Sequence, residues 1–187
     1  LAKEVCDRNG WELVKQPIEW NSKDMELKSG AVDCLWNGFT INGRESNYTW
    51  SKAYVDNSQV IVVKKDSGIT KLSDLAGKVV IVQMDSSALA AFTGEDATKE
   101  NKELAASFKE LVASYQLQER NGEFLILDEK VSTEQYGIGF LKGNTELRDK
   151  VQNTLDEMCQ DGTFEKIADE WKLTDSVCLG KEGTDAA

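Results

Sequence analysis

A chain of 187 residues can bury a core of useful size, as one large domain or as two small lobes. Its 40% hydrophobic and 29% charged residues, with one proline, are those of a folded protein, and only the tail from Lys181 to Ala187 reads as disordered. A net charge of −11 excludes a surface of clustered Lys and Arg for nucleic acid, and the lack of any histidine removes Ser-His and Cys-His nucleophile pairs along with the commonest transition-metal ligand, so neither metal nor cofactor is expected. The first predicted element is a helix, Leu1 to Asp7, stopped by Asn9-Gly10, residue types that accept a left-handed cap. Its pattern is already under way at Leu1, so a trimmed beginning is expected, any secretory signal having been removed. Trp11 to Pro17 reads as a strand. Asn21 or Ser22 can cap a short helix through Lys28, closed by Gly30, and Ala31 to Trp36 is a near-continuous apolar strand. Continuous apolarity suggests strands covered on both faces, which predicts a parallel α/β sheet.

Gln59 to Val63 is another buried strand, and the polar run Lys64 to Gly68 marks a lobe boundary. The β-then-α order then restarts with a helical turn over Leu72 to Gly77, a strand over Lys78 to Gln83 and a helix over Ser86 to Phe92. Leu104, Phe108, Leu111, Val112 and Tyr115 recur at helical spacing and predict one helix over Asn101 to Leu117, ended by Asn121-Gly122. Two strands follow, Phe124 to Leu127 and Gln135 to Phe140. A helix from Thr145 carries Leu147, Val151, Leu155 and Met158, and a last helix, Thr163 to Trp171, follows Asp161-Gly162. No run reaches the roughly 18 apolar residues of a membrane span. Four cysteines at positions 6, 34, 159 and 178 have no CxxC spacing; for an exported chain their even number favours two disulfides, and Cys6–Cys34 and Cys159–Cys178 close the shortest loops, with four buried free thiols in a cytosolic protein as the alternative.

The segment Val32 to Glu45 carries the most functional information. An apolar run ends in Asn37-Gly38, Thr40 follows, and Arg44 sits just beyond a tight Asn42-Gly43 turn. A guanidinium can hold a carboxylate bidentately while a hydroxyl and backbone N–H groups complete the shell, so the inferred ligand is the α-carboxylate of an amino acid. Taken singly, the same residues have plainer readings: Arg44 as a surface ion-pair partner, Trp20 and Trp36 as core aromatics, Ser86-Ser87 as a helix cap, with Trp50 and Trp171 left as core.

Together, six stretches resemble the extracellular (periplasmic-type) solute-binding proteins of amino-acid ABC transporters, family 3. They are Leu27 to Asp33 before Asn37-Gly38-Phe39-Thr40, Tyr54 to Lys65, Asp74 to Gln83, Gln135 to Phe140, Leu147 to Val151, and Asp161 to Ile167, in the family's order. The resemblance implies an α/β fold, periplasmic binding protein-like type II: two α/β lobes joined by crossing hinge strands, with ligand gripped in a cleft. Lobe 1 would hold 1–64 and 137–187, and lobe 2 would hold 65–136. By the same resemblance Gly38 would offer its carbonyl to the ligand ammonium, Thr40 and Arg44 would hold the α-carboxylate, Ser86 and Ser87 would present hydroxyls at a helix N-terminus, and Trp20, with Trp36 beside it, would wall the ligand.

The implied partners are an amino-acid ligand and the membrane permease of an ABC transporter, with an extracytoplasmic location in the periplasm or at the cell surface as a lipoprotein. A monomer is expected, with segment exchange between copies as an alternative. The chain departs from the family pattern in lacking a first lobe-1 strand, which would precede Leu1, and in lacking a lobe-2 stretch with a Val-Asp-Ala-like strand and an Asp for the ammonium. That stretch should lie near Leu111–Val112, and the helices around it read as spliced into one, Glu103 to Gln118. An enzyme on the same fold, such as a cyclohexadienyl dehydratase-like lyase with Asp85 as the acidic group, and the sensory ectodomain of a receptor are the other functions the resemblance leaves open.

Overall fold

A computed structural model of the chain describes residues 1–108, 110–114 and 124–180; the predicted Asn121-Gly122 stop and the tail from Lys181 lie outside them. The chain forms two compact units, Leu1–Asn57 with Glu134–Ala187, and Ser58–Thr133. None of the described helices is long and apolar enough to cross a membrane.

The first unit opens with helix α1 (Ala2–Asn9), which ends where Gly10 turns left-handed at φ 69°. A 3-10 turn at Trp20–Ser22 leads into α2 (Lys23–Ser29), closed by Gly30. Strand β1 (Cys34–Thr40) and the short β2 (Thr49–Trp50) both pair antiparallel with β6 (Phe124–Phe140), and β3 (Val55–Lys64) pairs with β6 as well. Helices α5 (Thr145–Gln160) and α6 (Thr163–Glu170) complete the unit. One face of β1 and β6 packs on these helices: Ile138, Phe140, Met158, Leu155, Phe164 and Val5 are essentially sealed from solvent. Buried apolar surface of this kind supplies most of the folding free energy.

A polar clasp fastens the helical layer. Arg8 of α1 donates to Asp161 at 2.7 Å and to Thr163 at 3.0 Å, while Asp161 accepts from the Thr163 N–H at 2.9 Å at the head of α6. Asn9 reaches across to the Thr154 hydroxyl of α5 at 2.8 Å.

The second unit holds a parallel pair, β4 (Val79–Gln83) and β5 (Glu110–Ser114), in the register Val79 to Glu110 through Gln83 to Ser114. Helices α3 (Ser87–Thr93) and α4 (Lys99–Ser107) come between them in the chain. Its core gathers Leu75, Val80, Val82, Phe92 and Val131, with the Phe92 and Phe108 rings edge to face at 5.5 Å. The buried Asn101 amide donates to the Val131 carbonyl at 3.0 Å, so its burial leaves no unmet donor there.

Several sequence expectations change. Trp11 to Pro17 forms no strand and Val14 is exposed: an extended segment needs a ladder partner, and among the described residues it has none. In the first unit β1 and β2 pair antiparallel with β6, where a parallel sheet was expected. β1 is apolar on both faces because Leu35 and Phe39 pack one way and Cys34 and Trp36 the other, which a strand of either direction can do. The strands expected at Phe124 to Leu127 and Gln135 to Phe140 are one 17-residue strand.

The single helix over Asn101 to Leu117, with its spliced Glu103 to Gln118, breaks at Ser107. Phe108 turns extended and Glu110–Ser114 becomes β5 beside β4. A short apolar run such as Leu111-Val112 fits a buried strand as well as a helix stripe, and the β4 edge decides between them. No disulfide links any of the four cysteines. Cys34 and Cys159 instead fill gaps at the border of the first core, and burial raises the Cys34 thiol to about 12.

Hydrogen bonds from Arg8 and Thr163 hold the Asp161 carboxyl down to about 2. A depressed carboxylate stabilises the fold fully above its unfolded value of about 3.9, and this contribution drains away as pH falls toward about 2. Asp161→Asn is therefore expected to flatten the fall in melting temperature between about pH 4 and 2, read by circular dichroism; an unchanged acid profile would remove the clasp from the stability account.

Candidate functional site

Between Leu35 and Phe39, β1 spans four residues against two of β6, since Leu35 faces Gly139 and Phe39 faces Gly137. The extra residues bulge, and Gly38 takes φ 80°, a conformation that costs a side-chain-bearing residue energy. A Cβ there would also sit 3.1 Å from the Tyr136 ring. The bulge re-aims the end of β1, where Thr40 is buried and pairs with Tyr136. The chain then turns: Arg44 N–H donates to the Ile41 carbonyl at 2.8 Å, and Gly43 N–H is taken by the Glu45 carboxylate at 3.1 Å.

That turn carries Arg44 back over β1. Its guanidinium carbon lies 5.6 Å from the centre of the Phe39 ring, and one N–H reaches the Thr40 carbonyl at 3.4 Å. Phe39 is the floor of an aromatic cluster: Trp20 and Tyr48 stand edge-on to it with ring centres at 5.0 Å, and Trp50 tilts against it at 4.7 Å. The Trp50 indole donates to the Arg44 carbonyl at 3.1 Å, and the Tyr48 hydroxyl donates to Asp24. The buried Lys23 ammonium lies 5.2 Å from the centre of the Trp20 ring. A cation over an aromatic face is held by the ring quadrupole, which adds to the Thr40 hydrogen bond in fixing Arg44.

Glycines in β6 make room for the cluster. A Cβ on Gly139 would fall 2.8 Å from Phe39, and one on Gly137 would fall 2.7 Å from Ile41, while Ile138 between them points to the helical core.

Of the expected site residues, Trp20, Gly38, Thr40 and Arg44 come together around Phe39 and the end of β1. Trp36 does not join them. It lies on the opposite face of β1 in the helical core and lines an apolar cavity of about 420 Å³ with Tyr54, Phe164 and Ile167. Burial pushes the Tyr54 hydroxyl up to about 12, offset in part by the neighbouring Trp36 side chain and Gly38 backbone.

In the second unit, Ser86 caps α3, accepting from Leu89 N–H at 3.2 Å and donating to the Gln83 carbonyl at 2.7 Å. The Ser87 hydroxyl accepts from the Gln59 amide at 3.0 Å. Asp85, before them, is exposed at φ 58°. Phe39, Tyr48 and Trp50, which were not among the expected site residues, form the aromatic cluster beside Arg44; the density of aromatics within ten residues of Arg44 was the available signal. Trp171, read as core, is exposed.

Placing an alanine at Gly139 drives a methyl into the Phe39 floor. Gly139→Ala is expected to cost about 1–3 kcal/mol by overpacking, seen as a lower midpoint in urea; an unaltered midpoint would show that the floor yields freely.

The geometry can be set beside known proteins. The chain matches the bacterial extracellular solute-binding proteins, family 3, over residues 1–174. It is 32% identical to the arginine-binding extracellular protein ArtP of Bacillus subtilis over 192 residues, covering 91% of this chain and 75% of that one. Among solved structures, an ABC uptake transporter substrate-binding protein from Streptococcus pneumoniae with bound histidine superposes with a TM-score of 0.78 at 27% identity, covering 91% of this chain and 80% of that one. An ancestral arginine-binding protein bound to glutamine gives 0.76 at 28% identity, covering 91% and 84%. These neighbours have the type II periplasmic binding protein fold of mixed α and β content, the fold class expected from sequence. The match along nearly the whole chain makes it a member of the bacterial extracellular solute-binding proteins, family 3.

Proposed function

We propose that the chain captures a polar amino acid outside the cytoplasm and delivers it to the permease of an ABC transporter, without chemical turnover. The observation that carries this reading is Arg44, set on the Phe39 face by a tight turn beside Thr40 and the Gly38 bulge. A guanidinium on an aromatic platform meets a carboxylate with two parallel hydrogen bonds, and the Gly38 carbonyl lies two residues from Thr40 to accept from the ammonium. Trp20 contributes an aromatic wall. Ser86 and Ser87 are proposed, as the family resemblance implies, as further hydroxyl contributors. Relatives whose names or solved complexes specify arginine, histidine and glutamine support an amino-acid ligand. The family is extracellular, which supports a periplasmic location or a cell-surface lipoprotein.

A thermal-shift screen of the twenty amino acids and cystine tests the proposal. The cognate ligand raises the melting temperature by mass action, and Arg44→Ala is expected to weaken binding about 10- to 100-fold in calorimetry, the worth of a charge-assisted hydrogen-bonded pair. A flat screen, or product formed from a prephenate-like acid, would overturn it.

A further inference from the structure

Helix α5 carries two stripes. Leu147, Val151, Leu155 and Met158 pack into the helical core, while Arg148, Gln152 and Asp156, spaced by four, form a polar row beside them. That row holds the backbone at the end of β2. One Arg148 N–H donates to the Trp50 carbonyl at 2.9 Å, and the Lys52 N–H donates to Gln152 Oε1 at 2.8 Å. Asp156 accepts from Gln152 Nε2 at 2.8 Å; a carboxylate only accepts, so it fixes which end of the buried amide faces Lys52. Between these anchors the buried Ser51 exchanges two bonds with Ile138, its N–H donating to that carbonyl at 3.0 Å and its hydroxyl accepting from that N–H at 2.9 Å. β2 is only two residues long, so its own ladder does little to orient Trp50, and these side-chain bonds carry that task.

Trp50 in turn holds the clamp. Its indole donates to the Arg44 carbonyl at 3.1 Å, and its ring tilts at 4.7 Å against Phe39, the ring that carries the Arg44 guanidinium. We propose that Arg148 and Gln152 are positioning residues for amino-acid binding: by fixing the Trp50–Lys52 backbone they set the indole that holds the Arg44 turn, without touching the ligand themselves. The inference rests on Arg44 as the carboxylate clamp. Arg148 is the stronger anchor, since its bond to the Trp50 carbonyl is charge-assisted. A bidentate guanidinium–carboxylate pair demands a fixed geometry, so a turn that wanders loses binding before the fold loses stability. A row that only fastened β2 to the helix would instead affect stability and leave binding unchanged.

Hydrogen exchange and calorimetry on the full chain test this together. In the ligand-free protein, Arg148→Ala is expected to speed amide exchange over residues 42–47 about fivefold or more, while α1 exchanges as in wild type. Gln152→Leu, which removes the acceptor for the Lys52 N–H, should do the same. In calorimetry with L-arginine, L-histidine and L-glutamine, Arg148→Ala should weaken whichever of them binds about 5- to 10-fold, and Arg148→Lys, which keeps a charged donor, should recover most of the loss. Because the effect runs through the indole, Arg148→Ala added to Trp50→Phe should weaken binding by less than about twofold more. Should Arg148→Ala not fold, Arg148→Met keeps the apolar stem and is judged by the same outcomes. Unchanged exchange over 42–47 overturns the proposal, as does equal weakening in the wild-type and Trp50→Phe backgrounds. If wild type binds none of the three amino acids, the failure falls on the reading of Arg44, and exchange over 42–47 still decides the positioning role.

Discussion

Strand β6 is the constraint on which the first unit depends. β1, β2 and β3 all take β6 as their ladder partner, so their backbone donors and acceptors are satisfied by one 17-residue segment. Its alternation is unusually strict near the site. Gly137 and Gly139 lie flat beneath Ile41, Phe39 and Trp50, while Ile138 and Phe140 close the helical core on the other face. A side chain at either glycine would move the aromatic cluster, and with it the platform that holds Arg44. Site geometry and core packing are therefore two faces of the same five residues, Tyr136 to Phe140.

Much of this was legible in the sequence. Helix boundaries followed from caps, as Gly10 and Gly30 show, and Asn42-Gly43 announced the turn before Arg44 through its residue types, whereas the bulge at Gly38 was not foreseen. The failures share a cause. Trp11 to Pro17 has a strand's composition but no partner among the described residues, Leu111-Val112 has a helix's spacing but a strand's partner, and β1 has a buried strand's composition without any mark of direction. Pairing is a property of two segments, and local pattern holds only one of them. The cysteines misled differently: an even count invites bridges, whereas Cys34 behaves as a small apolar side chain.

The site residues divide along similar lines. Arg44, Thr40 and Gly38 lie in one short segment, so sequence spacing brings them together, and the fold had only to supply the Phe39 floor. Trp36 was grouped with them by adjacency to Asn37, but it packs into the helical core on the face of β1 away from Phe39. The serines show a different economy, since the Ser86 hydroxyl is already engaged on both sides in starting α3.

The pairing of β1 with β6 also sets an order of events. Cys34 meets Phe140, and the intervening hundred or so residues include the whole second unit. As the chain emerges from synthesis, β1 therefore waits without its ladder while the second unit, continuous in sequence, already has all its strands. The half that begins the polypeptide is the half that finishes last, held open until the Tyr136 to Phe140 stretch arrives to zip it shut.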